Sequence, residues 1–280
     1  MSDVTWLVGN ELPEPWSNER ACQFGDGLFE TLAVVQGGPC LWSHHLNRLR
    51  LGCERLGLPK PDAMRLQREC KRACSDVDEA VLKIFWTAGK SVRGYRRPSD
   101  FQATCLIQVS TWTRLTDNRA WKLTLCNHRL SENPRLAGIK HLNRLDQVLG
   151  RNEWHNQAFD EGLMRGQDGR VVCGTMSNIV IERAGKLATP IIDGAGVCGV
   201  VRQCLLEAAD NQHLPIEIEE LHVSDVEAAD AVYLMNALIG VRRVSRFDGV
   251  NFNLDRPTPA LVEHVRQLAW TPTPWEQTAA

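Results

Sequence analysis

The chain of 280 residues reads as an α+β protein built in two halves. Three observations predict that class. Short runs rich in β-branched and apolar residues are joined by short connections punctuated with Gly and Pro, which favours antiparallel pairing. Amphipathic helical stretches interrupt these runs without the regular strand–helix alternation of a parallel α/β fold. Residues 111–117 follow a strand and carry Thr, Arg and Asp with no period, as a connection between halves would. The division expected is a first domain over 1–112, a linker over 113–116 and a second domain over 117–280. Two domains suit the length, at roughly 100–200 residues each.

The elements follow in order. Thr5 to Val8 and Leu28 to Val35 are predicted strands, the second ended by Gln36-Gly37-Gly38-Pro39. Ser43 is the expected cap of a helix running to about Leu56, with Leu46, Leu49, Cys53 and Leu56 on one face and Pro59 and Pro61 closing it. Asp62 to Ser75 is a second amphipathic helix, with Met64, Leu66, Cys70 and Cys74 as its apolar points. Glu79 to Thr87 and Ala103 to Thr111 read as paired strands around a basic loop, residues 89–100, that carries Lys90, Arg93, Arg96 and Arg97. The second half opens with a strand from Trp121 to Cys126. A helix then starts at Asn143, with Leu145, Val148, Leu149, Trp154 and Phe159 as a drifting apolar stripe. Gly162 to Met164 and Arg170 to Val172 flank the turn Asp168-Gly169, and Ile179 to Glu182 pairs with Lys186 to Thr189 around Ala184-Gly185. A glycine-rich run from Gly194 leads into a helix ending near Asn211. Ile216 to Leu221 and Ala231 to Asn236 are strands, and the tail, 271–280, is expected to fray.

Composition excludes several classes. Lys+Arg total 32 against Asp+Glu 34, a net charge of −2, which leaves no electrostatic footprint for nucleic acid or an anionic membrane. The longest apolar stretch, Ala231 to Val241, contains Asn236 and Gly240 and is far shorter than the ~20 residues of a membrane span. No signal-peptide pattern opens the chain, so a cytoplasmic protein is expected. Ten cysteines include no C-x-x-C pair and no zinc-type Cys/His spacing. They read as reduced thiols, several of them small core hydrophobes, with no metal site.

Two local features could carry chemistry. Gly194, Gly196 and Gly199 precede a helix, whose N-terminal N–H groups and dipole suit a phosphate, although the spacing is neither Walker nor Rossmann and a plain turn fits as well. Lys140 follows the apolar approach Leu136 to Ile139. A lysine in such surroundings is a candidate amine nucleophile and base, or else a snorkelling surface lysine.

Seven segments in order lift these signals: CQFGDGLFETLAV (22–34), HHLNRLRLGCERLGL (44–58), RGY (93–95), NPRLAGIKHLNRLDQVL (133–149), GTMSN (174–178), GVCGVVRQ (196–203) and MNAL (235–238). Together they resemble the fold-type IV pyridoxal-phosphate enzymes, of the D-amino-acid aminotransferase-like fold. Within that group they are most similar to the 4-amino-4-deoxychorismate lyases. The resemblance spans about residues 5–240, and AGIKHLNRLDQ is its most specific part. It implies two α+β domains with pyridoxal 5′-phosphate in the cleft between them, and a homodimer. Lys140 would carry the cofactor and act as acid and base. Arg48, ending H-x-x-R, would bind its phosphate with the N–H groups of Gly199, Val200 and Val201 and the turn at Asn236 and Ala237. Asn178 would lie beside the cofactor ring. Arg93 would hold a substrate carboxylate, with Arg97 and Arg144 behind it and Phe29 and Thr31 also facing the substrate. The family commonly has glutamate at the pyridine nitrogen, just before G-x-x-x-N; here Cys173 occupies that position, which implies either a less protonated ring or an altered or inactive chain, unless Asp225, Glu227 or another carboxylate substitutes.

The activity implied is conversion of 4-amino-4-deoxychorismate to 4-aminobenzoate and pyruvate. Transamination of D- or branched-chain amino acids needs the same lysine and a stronger electron sink, so Cys173 favours the lyase. A non-catalytic relative is the third possibility, with Cys173 for it and Lys140 and Arg48 against it.

Overall fold

The computed structural model describes residues 5–8, 18–91, 93–115, 117–155 and 158–275. Position 116 of the expected linker and residues 276–280 of the expected frayed tail lie outside them. The chain divides into two units: the first comprises residues up to Arg114, Ile139–Asn143 and the chain from Trp270; the second comprises Leu115–Gly138 and Arg144–Ala269. Two returns of the chain to the first unit were therefore absent from the sequence reading, because each is a short segment fixed by distant partners.

The first unit holds a five-stranded sheet in the order β1-β5-β4-β2-β3, from β1 (Thr5–Val8), β2 (Gly27–Val35), β3 (Gly38–Pro39), β4 (Ala80–Thr87) and β5 (Thr104–Thr111). Pairing is antiparallel except between β1 and β5. Three helices accompany it: α1 (Arg20–Phe24), α2 (Trp42–Leu56) and α3 (Ala63–Ala73). The five-residue α1 has too few residues to show a period. Ser43 lies inside α2 rather than capping it; the N-cap is Leu41, in a left-handed conformation with φ 55°. Asp62 caps α3 by accepting from the Arg65 N–H at 3.0 Å, which shields one orphan donor of the first turn. Met64 is exposed, so only Leu66, Cys70 and Cys74 of its expected apolar points are buried.

Part of the tail does not fray. Thr273 donates its N–H to the Pro39 carbonyl at 3.0 Å, Trp275 donates from Nε1 to the Gly37 carbonyl at 2.7 Å, and the Trp275 ring meets Trp42 edge-on at 5.7 Å.

The second unit is a nine-stranded sheet in the order β11-β10-β9-β12-β13-β6-β7-β8, with β14 paired to β13. Its strands are β6 (Trp121–Arg129), β7 (Glu161–Arg165), β8 (Val171–Gly174), β9 (Asn178–Arg183), β10 (Lys186–Pro190), β11 (Ile216–Glu219), β12 (Ala231–Asn236), β13 (Gly240–Phe247) and β14 (Val250–Asn251). The helices are α4 (Leu145–Arg151), α5 (Val200–Asn211), α6 (Val223–Glu227) and α7 (Ala260–Leu268). The core of this unit gathers Leu123, Leu163, Ile179, Ile181, Val232, Leu234 and Phe247, all with next to no exposure. The expected helix from Asn143 is shorter than its apolar stripe: α4 stops at Arg151, and Leu145, Val148 and Leu149 are exposed. The stripe reported periodicity, which does not say what covers it. All ten cysteines are free thiols, and no helix among the described residues is long and apolar enough to cross a membrane.

Candidate active site

Strand β2 sorts its residues by alternation. Leu28, Glu30 and Leu32 share one face and are buried, while Phe29 and Thr31 share the other and are half-buried. Helix α2 lies against this strand. A Cβ on Gly52 would come within 2.8 Å of Leu28 Cδ1, so any larger residue would make the Leu28 side chain shift. The approach carries His45 and Arg48, two turns and one turn earlier, to the carboxylate of Glu30.

Arg48 donates Nε to Glu30 Oε1 at 2.8 Å and Nη2 to Oε2 at 2.5 Å, a two-pronged pair in which Glu30 is 2% exposed. His45 meets Glu30 Oε2 through Nδ1 at 2.6 Å. Burial alone would raise the Glu30 carboxyl. The charge and hydrogen bonds of Arg48, with the His45 hydrogen bond, override it and hold the carboxyl down to about 2. Glu30 is then an acceptor only, so the proton between the two side chains sits on His45 Nδ1.

Lys140 belongs to the first unit. Its carbonyl accepts the Phe29 N–H at 2.9 Å, and Leu142 donates its N–H to the Gly27 carbonyl at 3.0 Å, so the segment runs against the start of β2. Lys140 Nζ stands over the Phe29 ring, 4.3 Å from its centroid. Phe29 in turn stacks on Phe85 of β4, with centroids 6.2 Å apart. Lys140 is thus set against Phe29 on one face of β2, while His45 and Arg48 meet Glu30 on the other, and the charge of Lys140 is felt at His45.

The basic loop is fastened by salt bridges. Arg97 donates Nε and Nη2 to the two oxygens of Asp26, at 2.9 and 2.5 Å, and Nη1 to the Leu56 carbonyl at 2.6 Å. Arg20, itself buried, bonds Asp26 and the carbonyls of Gly94 and Tyr95. The guanidinium of Arg97, expected toward substrate, is therefore spent on structure, whereas Arg93 is exposed.

In the second unit Asn178 clamps the start of α5. Its Nδ2 donates to the Val197 carbonyl at 2.9 Å and its Oδ1 accepts the Gly199 N–H at 2.9 Å. A Cβ on Gly199 would lie 2.0 Å from that oxygen, which requires glycine here. No side chain caps α5, and Val200 and Val201 open it. Their N–H groups have no intrahelical acceptor and are ready donors to an anion. Asn236 folds its own turn, its Oδ1 accepting from Leu238 and Ile239 N–H at 2.8 and 2.9 Å, which sets Ala237 at the bend.

Cys173, on β8, is fully enclosed among Cys126, Leu130, Met164, Val172 and Ala195. Burial, reinforced by the Glu161 charge and opposed by Arg144, pushes its thiol up to about 12, so it stays protonated. Burial also lowers the Arg144 guanidinium to about 10. Neither expected substitute carboxylate is available: Asp225 accepts the His222 N–H at 2.7 Å and pairs with Arg183 at 2.9 Å, and Glu227 is exposed. Glu161, like Glu30 and His45, was not singled out by sequence reasoning. It has no exposure and accepts from Gly162 N–H, Thr175 N–H and Oγ1, Met176 N–H and Ser177 Oγ, so it organises the turn between Cys173 and Asn178. A lone acid at the head of the apolar run EGLM was the available signal.

The donor set fits an aldehyde cofactor with a phosphate ester. In the first unit Lys140 offers an amine on an aromatic face, Arg48 an arginine fork and His45 a buried imidazole nitrogen with no hydrogen-bond partner among the described residues; in the second unit, taken by itself, α5 offers helix N–H groups with no side-chain cap. An α+β fold with that donor set defines a class of phosphorylated-aldehyde-dependent enzymes. The sequence profile of the amino-transferase class IV family matches residues 27–247, and the chain belongs to that pyridoxal-phosphate-dependent family. It is 28% identical over 266 residues to an aminodeoxychorismate lyase of Vibrio harveyi, covering 93% of this chain and 97% of that one. The solved 4-amino-4-deoxychorismate lyase of Pseudomonas aeruginosa superposes with a TM-score of 0.82 at 36% identity, over 92% of this chain and 95% of that one. A D-alanine aminotransferase of Listeria monocytogenes is 25% identical over 257 residues, 87% of this chain and 88% of that one.

The charges around Glu30 set an acid limit. Its folded value lies below its unfolded value of about 4.3, so its contribution is present above that value and lost as pH falls toward 2. His45 is also lowered, by burial against the opposing pull of Glu30, so the unfolded chain takes up more protons below about 6.5 and stability falls there too. The urea midpoint should therefore drop from pH 7 to pH 5, and His45→Asn should remove part of that drop. An unchanged pH profile in the variant would contradict the assignment.

Proposed function

We propose that the chain is a 4-amino-4-deoxychorismate lyase, forming 4-aminobenzoate and pyruvate. The observation that carries this reading is Lys140, fixed along β2 by main-chain hydrogen bonds with its Nζ over Phe29, in a chain 36% identical to a solved lyase. Lys140 Nζ would hold the cofactor aldehyde, and as a free amine it takes the proton from the amine-bearing ring carbon of the substrate. Bound pyridoxal phosphate supplies the electron sink at that carbon. The enolpyruvyl C–O bond then breaks, the ring becomes aromatic, and Lys140 Nζ returns the proton to the departing side. Arg48 is the guanidinium ligand of the phosphate, the N–H groups of Val200 and Val201 and the Asn236–Ala237 turn are further donors to it, and Asn178 keeps α5 in register. Arg93 is the cation for a substrate carboxylate. The exposed apolar residues Leu145, Val148 and Leu149 support a homodimer.

Cys173 favours elimination over transamination. A protonated thiol gives no negative partner to a ring nitrogen, so the sink is weak, and aromatisation supplies the driving force that transamination lacks. Purified protein should release equal amounts of 4-aminobenzoate, read by fluorescence, and pyruvate, read through lactate dehydrogenase. D-alanine with 2-oxoglutarate should give little turnover. Brisk D-glutamate formation with no 4-aminobenzoate would replace this reading with an aminotransferase. Cys173→Glu should raise the transaminase rate relative to the lyase rate and shift the cofactor absorbance toward a protonated ring. An unmoved spectrum and ratio would mean that Cys173 does not face the ring nitrogen.

A further inference from the structure

His45 is the buried titratable group that the reaction above leaves without a task. Its side chain is 1% exposed. Nδ1 carries the proton donated to Glu30, so the neutral ring keeps its lone pair on Nε2, and that atom is buried with no hydrogen-bond partner among the described residues. A buried polar atom left in this state bears its desolvation cost with no return unless a ligand supplies the partner.

The charged groups that act on the ring come from each element around it: Glu30 from β2, Arg48 from α2 itself and Lys140 from the 139–143 segment. Burial holds the imidazole below its ordinary value; Glu30 opposes this, and the two cations add to it. His45 precedes Arg48 by three residues, so both project from the same side of α2, and both end on the same carboxylate. Glu30 thus joins them into one rigid unit of donors. Burial, helped by these two cations, keeps the second proton off the ring. A phosphate ester brings up to two negative charges to that place and reverses the balance.

We propose that His45 is a second ligand of the phosphate held by Arg48, and that phosphate binding loads one proton onto Nε2. Nε2–H then donates to a phosphate oxygen while Nδ1–H continues to donate to Glu30. This rests on the reading of Lys140 and Arg48 as cofactor residues. The proton comes from solvent. Above about pH 7 the free ring is neutral and the free ester is a dianion, whereas the bound pair holds one proton between nitrogen and oxygen. No covalent bond changes at His45. Because the ring's pKa rises on binding, affinity for the phosphate-bearing aldehyde is greatest at low pH and falls by up to about tenfold per unit between the free and bound values.

The test compares pyridoxal 5′-phosphate with pyridoxal, which has the same aldehyde and lacks the phosphate. Both are titrated into the full-length chain, freed of cofactor by dialysis, from pH 6 to 8.5. Binding is read by absorbance, and proton uptake is read by calorimetry in buffers of different ionisation enthalpy. His45→Asn keeps a donor at the Nδ1 position for Glu30 and removes Nε2; His45→Gln reaches the Nε2 position with a donor that does not titrate. Wild type should take up about one more proton with pyridoxal phosphate than with pyridoxal near pH 8. Both variants should lose that extra proton. His45→Asn should bind pyridoxal phosphate about tenfold more weakly at pH 7, with pyridoxal affinity changed less than about twofold. Equal weakening of both aldehydes, or proton uptake unchanged in the variants, would overturn the proposal and leave the cofactor reading intact. Failure of wild type to bind either aldehyde would overturn both.

Discussion

Lys140→Ala is expected to abolish turnover and to leave the purified protein without covalently held cofactor. Two losses combine. The amine that fixes the aldehyde is gone, so the cofactor is retained only through its phosphate and ring. The base that removes and returns the proton is gone as well, and positioned acid–base groups contribute on the order of 10²–10⁴-fold. Arg48 and the Nδ1 of His45 are both committed to Glu30. The fold should survive, because the main-chain hydrogen bonds to Phe29 and Gly27 that hold the segment need no side chain. The checks are 4-aminobenzoate release, the absorbance of the purified variant and its urea midpoint. Residual turnover within tenfold of wild type would contradict the role.

Arg48→Ala should damage two properties that can be separated. Removing the guanidinium leaves Glu30 ionised and buried beside His45 alone. Breaking a buried pair by deleting one partner costs about 3–5 kcal/mol. It also removes a charged donor to the phosphate, about 1.5–3 kcal/mol, or roughly ten- to a hundredfold in affinity for pyridoxal phosphate. The double variant Glu30→Gln/Arg48→Met distinguishes them. With no buried charge left to compensate, it should recover most of the stability while cofactor affinity stays low. Recovery of both, followed by urea titration and by absorbance, would show that Arg48 serves only the fold.

The strands of the first sheet other than β3 could be read from the sequence because each is a run of β-branched and apolar residues bounded by Gly, Pro or a polar loop; β3, Gly38–Pro39, was read only as the turn ending β2. The hairpin of β9 and β10 and the glycine-rich entry to α5 were readable for the same local reason. Elements whose identity depends on distant partners were not. Helix α1 has five residues and is held by Arg20, whose partners at Ser91, Gly94 and Tyr95 are more than seventy positions away. The return of Ile139–Asn143 to the first unit depends on Gly27 and Phe29. Strand β13 and helix α7 went unread although β13 lies between β12 and β6 in the sheet.

The candidate site divides along the same line. Lys140, Arg48, Asn178 and the α5 turn were singled out through motifs as candidates. Glu30, His45 and Glu161 were not, because an acid or imidazole in a sequence does not reveal whether its partners lie in solvent or in the core. Glu161 needs residues 162 and 175–177 to be satisfied, and Glu30 needs residues 45 and 48. Arg97 erred in the opposite direction: a basic loop residue with the right composition was already committed to Asp26 and the end of α2.

Reduction of the purified protein with borohydride, followed by peptide mapping, tests the central claim most directly. The treatment fixes an aldehyde to the amine that holds it, whatever the substrate proves to be. The account predicts loss of the visible absorbance and a single pyridoxyl-modified peptide, modified at Lys140. Label on another lysine, or a coloured protein that yields no labelled peptide, would contradict it.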